Sequence, residues 1–174
     1  MTDLIERYTF QNYETPTQET EEIKEKAVRY CSDSGWLYIS GRSGSGKTHI
    51  CTAICKKLIQ SGTDVYYMQW RDESVNLKSA VNDTEYYNGR MRKLKTVPVL
   101  YIDDFLKGSD TDADIRLAFE ILNSRYNDRS LKTIISSELD ITAVLNRDEA
   151  LGGRIYERAK GYMLKAPAQN WRLK

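Results

Sequence analysis

Residues 41–48 read Gly41-Arg42-Ser43-Gly44-Ser45-Gly46-Lys47-Thr48. This segment fits the pattern G-x-x-x-x-G-K-T, in which glycines let backbone N–H groups turn toward phosphate oxygens. An apolar run precedes it, Trp36-Leu37-Tyr38-Ile39, and residues with helical spacing follow. The amino end of that helix adds to the attraction for an anion. We therefore predict a phosphate-binding loop, with Lys47 on the β- and γ-phosphates and the Thr48 hydroxyl on Mg²⁺.

The rest of the chain alternates apolar runs with segments of helical periodicity. Runs at 36–39, 64–70, 97–102, 133–137 and 162–164 predict five strands. Helical spacing predicts helices near 18–32, over 48–60, around 115–126 and over 141–159, the last interrupted at Gly152-Gly153. Continuous apolar strands alternating with helices favour a parallel sheet covered on both faces. We therefore expect an α/β fold, a doubly wound five-stranded parallel sheet.

Length and composition exclude several classes of protein. With 174 residues and 40% hydrophobic content the chain fits one globular domain. A net charge of +1 excludes a histone-like basic protein, so any contact with nucleic acid needs local basic patches. No apolar run reaches the ~18–20 residues that cross a bilayer, and the amino-terminal residues do not resemble a signal peptide. The odd set of Cys31, Cys51 and Cys55 favours reduced thiols, so we expect a cytoplasmic protein.

Carboxylates end the third predicted strand, which reads Val99-Leu100-Tyr101-Ile102-Asp103-Asp104. The carboxyl ends of parallel strands lie at the edge where ligands bind. We predict that Asp103 holds Mg²⁺, directly or through water, and that Asp104 orients or deprotonates the attacking water. The fourth strand ends in Ser136-Ser137-Glu138. Ser137 and Glu138 are candidate sensors of the γ-phosphate, and an ordinary polar strand exit is the alternative.

Taken together, these motifs resemble the AAA+ ATPases of the bacterial and phage helicase-loader group. These are the DnaC/DnaI-like replication proteins, and the transposon helper ATPase IstB is a cousin. The resemblance begins at Tyr8-Thr9-Phe10-Gln11-Asn12-Tyr13 and includes the phosphate loop and the acidic strand end. It continues through Asn123-Ser124-Arg125-Tyr126, Gly153-Arg154-Ile155-Tyr156-Glu157-Arg158 and Asn170-Trp171-Arg172. It implies a polar lead-in over 1–17 and an AAA+ P-loop ATPase domain over 18–174, in which we find no segment resembling a separate helical lid.

The resemblance also implies roles for individual residues. Arg154 corresponds to the arginine finger that completes a neighbouring subunit's ATP site, with Arg158 as the less favoured choice. Arg172 corresponds to the sensor arginine on the terminal phosphates. His49 follows the loop, and we favour a packing or helix-end role for it over proton transfer. The expected catalytic residues are Lys47, Asp104 and Arg154, and the expected nucleotide-binding residues are Gly41, Ser43, Gly44, Ser45, Gly46, Lys47, Thr48, His49 and Arg172.

ATP and Mg²⁺ are the cofactors that this resemblance implies. The implied partners are a replicative DNA helicase, single-stranded DNA and further copies of the chain. Residues 84–95 offer one candidate DNA-binding surface, because basic residues stand beside Tyr86 and Tyr87. A solvated helix face is the alternative explanation. We predict weak, salt-sensitive DNA binding through Arg90, Arg92 and Lys93.

The sequence leaves four functions open. The first is a helicase loader, and the second is an IstB-like transposase helper. The third is a small P-loop kinase, which needs a basic lid to clamp its acceptor; Arg125 and Arg129 are candidates for that role. The fourth is a nucleotide-binding switch with little turnover.

Overall fold

Five parallel strands form the centre of the protein. The computed structural model describes residues 2–108 and 111–173, except for the side chains of Thr2 and Arg172. The strands are β1 (Trp36–Ser40), β2 (Val65–Gln69), β3 (Val99–Asp103), β4 (Lys132–Ser137) and β5 (Met163–Lys165). They pair in the order β2-β3-β4-β1-β5, and each neighbouring pair is parallel. The predicted five-stranded parallel sheet is confirmed.

Helices cover both faces of this sheet. They are α1 (Thr2–Arg7), α2 (Gln18–Tyr30), α3 (Lys47–Gln60), α4 (Trp70–Ser79), α5 (Thr84–Thr96), α6 (Asp112–Asn127), α7 (Ile141–Arg147) and α8 (Glu149–Ala159), with short 3₁₀ turns at Lys160–Tyr162 and Trp171–Leu173. Successive side chains of a strand point to opposite faces. Trp36 and Tyr38 accordingly pack in one core with α4 to α8, and Leu37 and Ile39 in another with α2 and α3. The fold is therefore doubly wound, as predicted.

The carboxyl-terminal helical region differs from its prediction. The helix expected over 141–159 is two helices, and the break lies at Asp148, not at the glycine pair. Asp148 has extended backbone angles, and its carboxylate accepts a hydrogen bond from the Leu151 amide at 2.7 Å, so it caps α8. A Cβ added to Gly152 would lie 2.8 Å from the backbone of Leu145. Gly152 thus allows α7 and α8 to pack closely, and it does not interrupt the helix.

Arg125 on α6 ties three elements together inside the protein. Its side chain is fully buried. The guanidinium donates to the carbonyls of Leu94, Val97 and Lys132 at 3.0, 2.9 and 2.6 Å, and to the Thr133 hydroxyl at 2.9 Å. Burial lowers the pKa of Arg125 to about 10, so it stays cationic at neutral pH. Arg125 therefore joins α5, α6 and β4, and it is not placed to clamp a second substrate.

The cysteines and the apolar character of the helices both bear on the sequence predictions. All three thiols are free, with Cys51 and Cys55 buried on α3 and Cys31 half-buried after α2. Burial raises the pKa of each, so they are protonated at neutral pH. Within residues 2–108 and 111–173, none of the helices has the length and apolar character needed to cross a bilayer.

Candidate functional site

A cavity of about 410 Å³ lies over the loop between β1 and α3. The loop contributes Ser43 to Thr48, followed by His49 at the start of α3. Asp104 and Lys107 line it from beyond the end of β3, and Trp171 closes it from the carboxyl-terminal segment. The remaining wall comes from the lead-in, through Arg7, Tyr8, Asn12, Tyr13 and Glu14. The cavity therefore brings the phosphate loop, an acidic strand end and aromatic side chains together.

Glycine is required in the loop for reasons of both conformation and space. Gly44 and Gly46 have φ angles of 77° and 89°, a region that other residues rarely adopt. A Cβ at Gly44 would also lie 2.0 Å from the Asn170 side-chain oxygen. Lys47 is 5% exposed, and its ammonium donates to the carbonyls of Gly41 and Arg42 at 2.7 and 2.9 Å. Burial lowers the pKa of Lys47, an effect opposed by the nearby carboxylates.

Thr48 and Asp103 meet as the sequence predicted. The Thr48 hydroxyl donates to the two carboxylate oxygens of Asp103 at 3.2 and 3.4 Å. Asp103 also accepts from Tyr101 at 2.7 Å, Tyr67 at 3.1 Å and Ser136. These contacts fix one carboxylate beside one hydroxyl at the end of the phosphate loop. A carboxylate, a hydroxyl and phosphate oxygens suit Mg²⁺, which seldom needs a cage made wholly of protein ligands.

The candidate sensor Ser137 does not line the cavity. Its hydroxyl donates to the Phe105 carbonyl at 2.8 Å and accepts from the Leu139 amide at 3.1 Å, and its side chain is fully buried. Ser136, one residue earlier, points to Asp103 instead. The two serines face opposite sides of β4, and β4 lies between β1 and β3 in the sheet. Ser136 is therefore the serine of this strand that contacts the candidate metal ligand.

Lys107 is a site residue that the sequence analysis missed. Its ammonium lies 2.7 Å from a carboxylate oxygen of Glu138 and 3.2 Å from one of Asp104. Hydrogen bonding to these carboxylates raises the pKa of Lys107, with Glu138 the larger cause. The predicted sensor Glu138 and the predicted water-orienting Asp104 thus share one lysine. No motif contains this lysine, so only the fold reveals it.

The lead-in forms one wall of the cavity through His49. The imidazole Nε2 lies 3.0 Å from both the Thr9 carbonyl and the Asn12 side-chain oxygen. The rings of Tyr8 and Tyr13 lie 4.7 and 5.2 Å from the imidazole, centroid to centroid. Burial lowers the pKa of His49, which keeps the ring neutral at pH 7. His49 therefore both lines the cavity and packs the lead-in onto α3.

The segment Asn170-Trp171-Arg172 lies against the phosphate loop. The Trp171 amide donates to the Gly44 carbonyl at 2.9 Å. The Trp171 indole nitrogen lies 3.7 Å from the position that a Cβ on Gly46 would take. The side chain of Arg172 lies outside the described residues, so its predicted role as a sensor stays a prediction. The backbone nevertheless brings this motif to the loop.

The two arginines of α8 have different environments. Arg158 is buried and donates to the carbonyls of Tyr126 and Leu131 at 2.9 and 3.2 Å, which disfavours the alternative that it acts as a finger. Arg154 is partly exposed, and its Nε donates to the Asn123 side chain at 2.8 Å. Arg154 is not among the residues that line the cavity. The structure therefore gives Arg154 no part in the wall of the cavity of its own chain.

The candidate DNA-binding residues on α5 are only partly available. Arg90 makes a two-pronged ion pair with Glu73, at 2.8 and 2.7 Å, which the sequence analysis did not anticipate. The Lys93 ammonium lies 4.6 Å from the centre of the Tyr66 ring, and Arg92 is exposed. The pairing of Arg90 leaves this surface less basic than its sequence indicated.

Comparisons with known proteins extend this description. A family model described as IstB-like ATP binding protein matches residues 1–162. Phage-like element PBSX protein XkdC of Bacillus subtilis (strain 168) is 34% identical over 134 residues, which are 74% of this chain and 49% of XkdC. Replicative helicase loader DnaC of Buchnera aphidicola subsp. Schizaphis graminum (strain Sg) is 24% identical over 91% of this chain and 65% of its own length.

The crystal structure of the DnaC helicase loader shares the fold. It superposes with a TM-score of 0.79 at 20% identity, and the match covers 94% of this chain and 98% of that one. The five-stranded parallel sheet of this chain, with its phosphate loop, is thus the fold of that protein. This chain spans about half the length of XkdC and about two thirds of the length of the Buchnera DnaC.

Proposed function

The chain belongs to the IstB-like ATP-binding protein family, and we propose that it is a Mg²⁺-dependent AAA+ ATPase that helps to load a replicative DNA helicase onto single-stranded DNA. The observation that carries the proposal is the meeting of Lys47, Thr48 and Asp103 at one edge of the sheet. The similarity to DnaC and the ordered motifs of residues 153–158 and 170–172 support the helicase-loading part.

Each residue of the site has a definite task in this proposal. The Lys47 ammonium exchanges the carbonyls of Gly41 and Arg42 for β- and γ-phosphate oxygens. Thr48 and Asp103 would hold Mg²⁺, and the bound ion would supply positive charge beside the phosphates. Asp104 orients the water that attacks the γ-phosphate. The aromatic wall of Tyr8, Tyr13 and Trp171 receives the rest of the nucleotide.

Nucleotide binding and turnover test the first part of the proposal. Lys47→Ala removes the cation that contacts the phosphates, and we expect it to abolish ATP binding and hydrolysis in a DNA-free preparation. Lys57→Ala is the matched control, because Lys57 is an exposed lysine of the same helix. Normal hydrolysis by Lys47→Ala would contradict the site assignment. Tight ATP binding without turnover in the wild type would instead favour the nucleotide switch.

Arg154 completes the site of a neighbouring subunit in this proposal, since it does not line the cavity of its own chain. A positive charge delivered to the γ-phosphate stabilises the transition state and couples hydrolysis to assembly. We expect the ATPase rate per subunit to rise with protein concentration. Arg154→Ala and Lys47→Ala should each be inactive alone and recover activity when mixed, since one supplies the site and the other the finger. Failure of the mixture would exclude a shared site.

The partner distinguishes the two leading functions. A helicase loader should bind a replicative helicase in a pull-down, whereas a transposase helper should bind its transposase. The family description favours keeping the transposase helper as the second candidate. We expect weak binding of single-stranded DNA that falls steeply as salt is raised. The kinase alternative loses one of its two candidate clamping residues, because Arg125 is buried, whereas Arg129 is exposed. ATP turnover without a second substrate would speak against a kinase.

A further inference from the structure

Lys107 lies at the cavity, between the carboxylates of Asp104 and Glu138. It lines the same cavity as Lys47, Thr48 and Asp104, and its side chain is 40% exposed. Its ammonium contacts both Asp104 and Glu138, and the Glu138 contact is the shorter, at 2.7 Å against 3.2 Å. The residue is thus a cation at the phosphate site that belongs to none of the motifs described above.

The chain after β3 holds the base of this lysine in one place. Asp104 and Leu106 have φ angles of 52° and 58°, so the chain turns sharply there. Between them the Phe105 amide donates to the Ser136 carbonyl at 2.8 Å, and the Phe105 side chain is fully buried. Leu106 is also buried, and the Lys107 amide donates to the Asp104 carbonyl at 3.0 Å. Packing therefore fixes the backbone, while the flexible lysine side chain keeps its freedom.

A nucleoside triphosphate in the cavity would compete for this ammonium. The terminal phosphate carries more negative charge than either carboxylate, and Arg and Lys bind it through charge-assisted hydrogen bonds. An ADP molecule on the same loop lacks that phosphate and leaves the two carboxylates as the best partners. The ion pair also engages one of the two carboxylate oxygens of Asp104, the residue proposed to orient water.

We propose that Lys107 is a second ligand of the γ-phosphate, which Asp104 and Glu138 hold until a triphosphate binds. This inference rests on the proposed ATPase function and deepens it. Transfer of the ammonium to the phosphate lets the site distinguish ATP from ADP. The same movement frees Asp104, so water is activated only when there is a phosphoryl group to attack.

Calorimetric titration with a non-hydrolysable ATP analogue and with ADP, both with Mg²⁺, tests the proposal. Lys107→Met keeps most of the side-chain volume and removes the charge. We expect it to weaken binding of the analogue by about tenfold or more, the usual scale of a charge-assisted hydrogen bond, and to change ADP binding less than about twofold. Glu138→Gln removes the shorter ion pair, and it should tighten binding of the analogue.

The double variant Lys107→Met/Glu138→Gln identifies the route of the Glu138 effect. If Glu138 acts by holding Lys107, the double variant should bind like Lys107→Met alone, since the second change has nothing left to release. If Glu138→Gln still tightens binding in the Lys107→Met background, Glu138 repels the phosphate directly and the holding role is wrong.

The possible failures can be told apart. Equal weakening of ATP-analogue and ADP binding by Lys107→Met would mean that the lysine only supports the loop, which overturns the inference and leaves the proposed ATPase intact. Absence of binding of either nucleotide to the wild type would overturn the proposed function itself. Thermal melting of each variant shows whether it folds, and the ratio of the two affinities does not depend on the fraction folded.

Discussion

Replacing the buried Arg125 tests how much its hydrogen bonds, which lie outside the nucleotide site, stabilise the fold. In Arg125→Met, the carbonyls of Leu94, Val97 and Lys132 and the Thr133 hydroxyl lose their donor. Buried acceptors without a partner cost about 1–3 kcal/mol each. The variant recovers part of this, because the guanidinium no longer has to be desolvated. We therefore expect the free energy of unfolding to fall by about 3–5 kcal/mol, because four acceptors lose a donor and the avoided desolvation of the guanidinium offsets only part of that cost.

Thermal and urea unfolding of the purified variants measures this change. For a chain of this size, each kcal/mol corresponds to about 2–4 °C in Tm, so Arg125→Met should melt roughly 6–20 °C below the wild type. Arg129→Met is the matched control. Arg129 is 67% exposed and pairs with Glu157 at 3.1 Å, so its loss should cost less than about 1 kcal/mol. If the free energy of unfolding of Arg125→Met fell by less than about 1 kcal/mol, the conclusion that Arg125 holds α5, α6 and β4 together would be refuted.

Three further predictions concern packing, charge and the metal ligand. Gly152→Ala should destabilise the fold by about 1–3 kcal/mol through contact with Leu145, whereas Gly153→Ala, in open space, should stabilise it by about 0.5–1 kcal/mol; urea unfolding compares them. The His49 pKa, measured by NMR, should lie below 6.5, so the stability it contributes is present above that pH and falls as the pH drops toward the folded pKa; a higher value would contradict the burial of the ring. Ser136→Ala should weaken Mg²⁺-dependent nucleotide binding more than Ser137→Ala, because only Ser136 contacts Asp103.

The phosphate loop and the acidic strand end could be predicted because their information is local. The glycines before Lys47 and the apolar run before Asp103 indicate both the local conformation and the function of these segments from a few neighbouring residues. The alternation of apolar runs with segments of helical periodicity likewise predicted the α/β fold class. Their meeting at the Thr48–Asp103 contact then followed from the common edge of a parallel sheet.

Other features depend on contacts between distant parts of the chain. The order of strands places β4 between β1 and β3, and this decides that Ser136, not Ser137, reaches Asp103. Arg154 and Arg158 lie on one helix, but only Arg158 is buried, and the sequence alone does not show this difference. Lys107 is a single lysine after a turn, and only its contacts with the carboxylates of Asp104 and Glu138 identify it as a residue of the site.

The Mg²⁺ dependence of nucleotide affinity shows whether Thr48 and Asp103 form a metal site beside the phosphate loop. Calorimetry would give the dissociation constant of a non-hydrolysable ATP analogue, with and without Mg²⁺, for the wild type and Asp103→Asn. Asn keeps the shape of the side chain among its hydroxyl neighbours and removes the charge that attracts the metal. We predict that Mg²⁺ tightens binding to the wild type and that Asp103→Asn loses this gain while its Mg²⁺-free affinity is retained. An undiminished gain from Mg²⁺ in Asp103→Asn would contradict a metal site shared by the phosphate loop and the tip of β3.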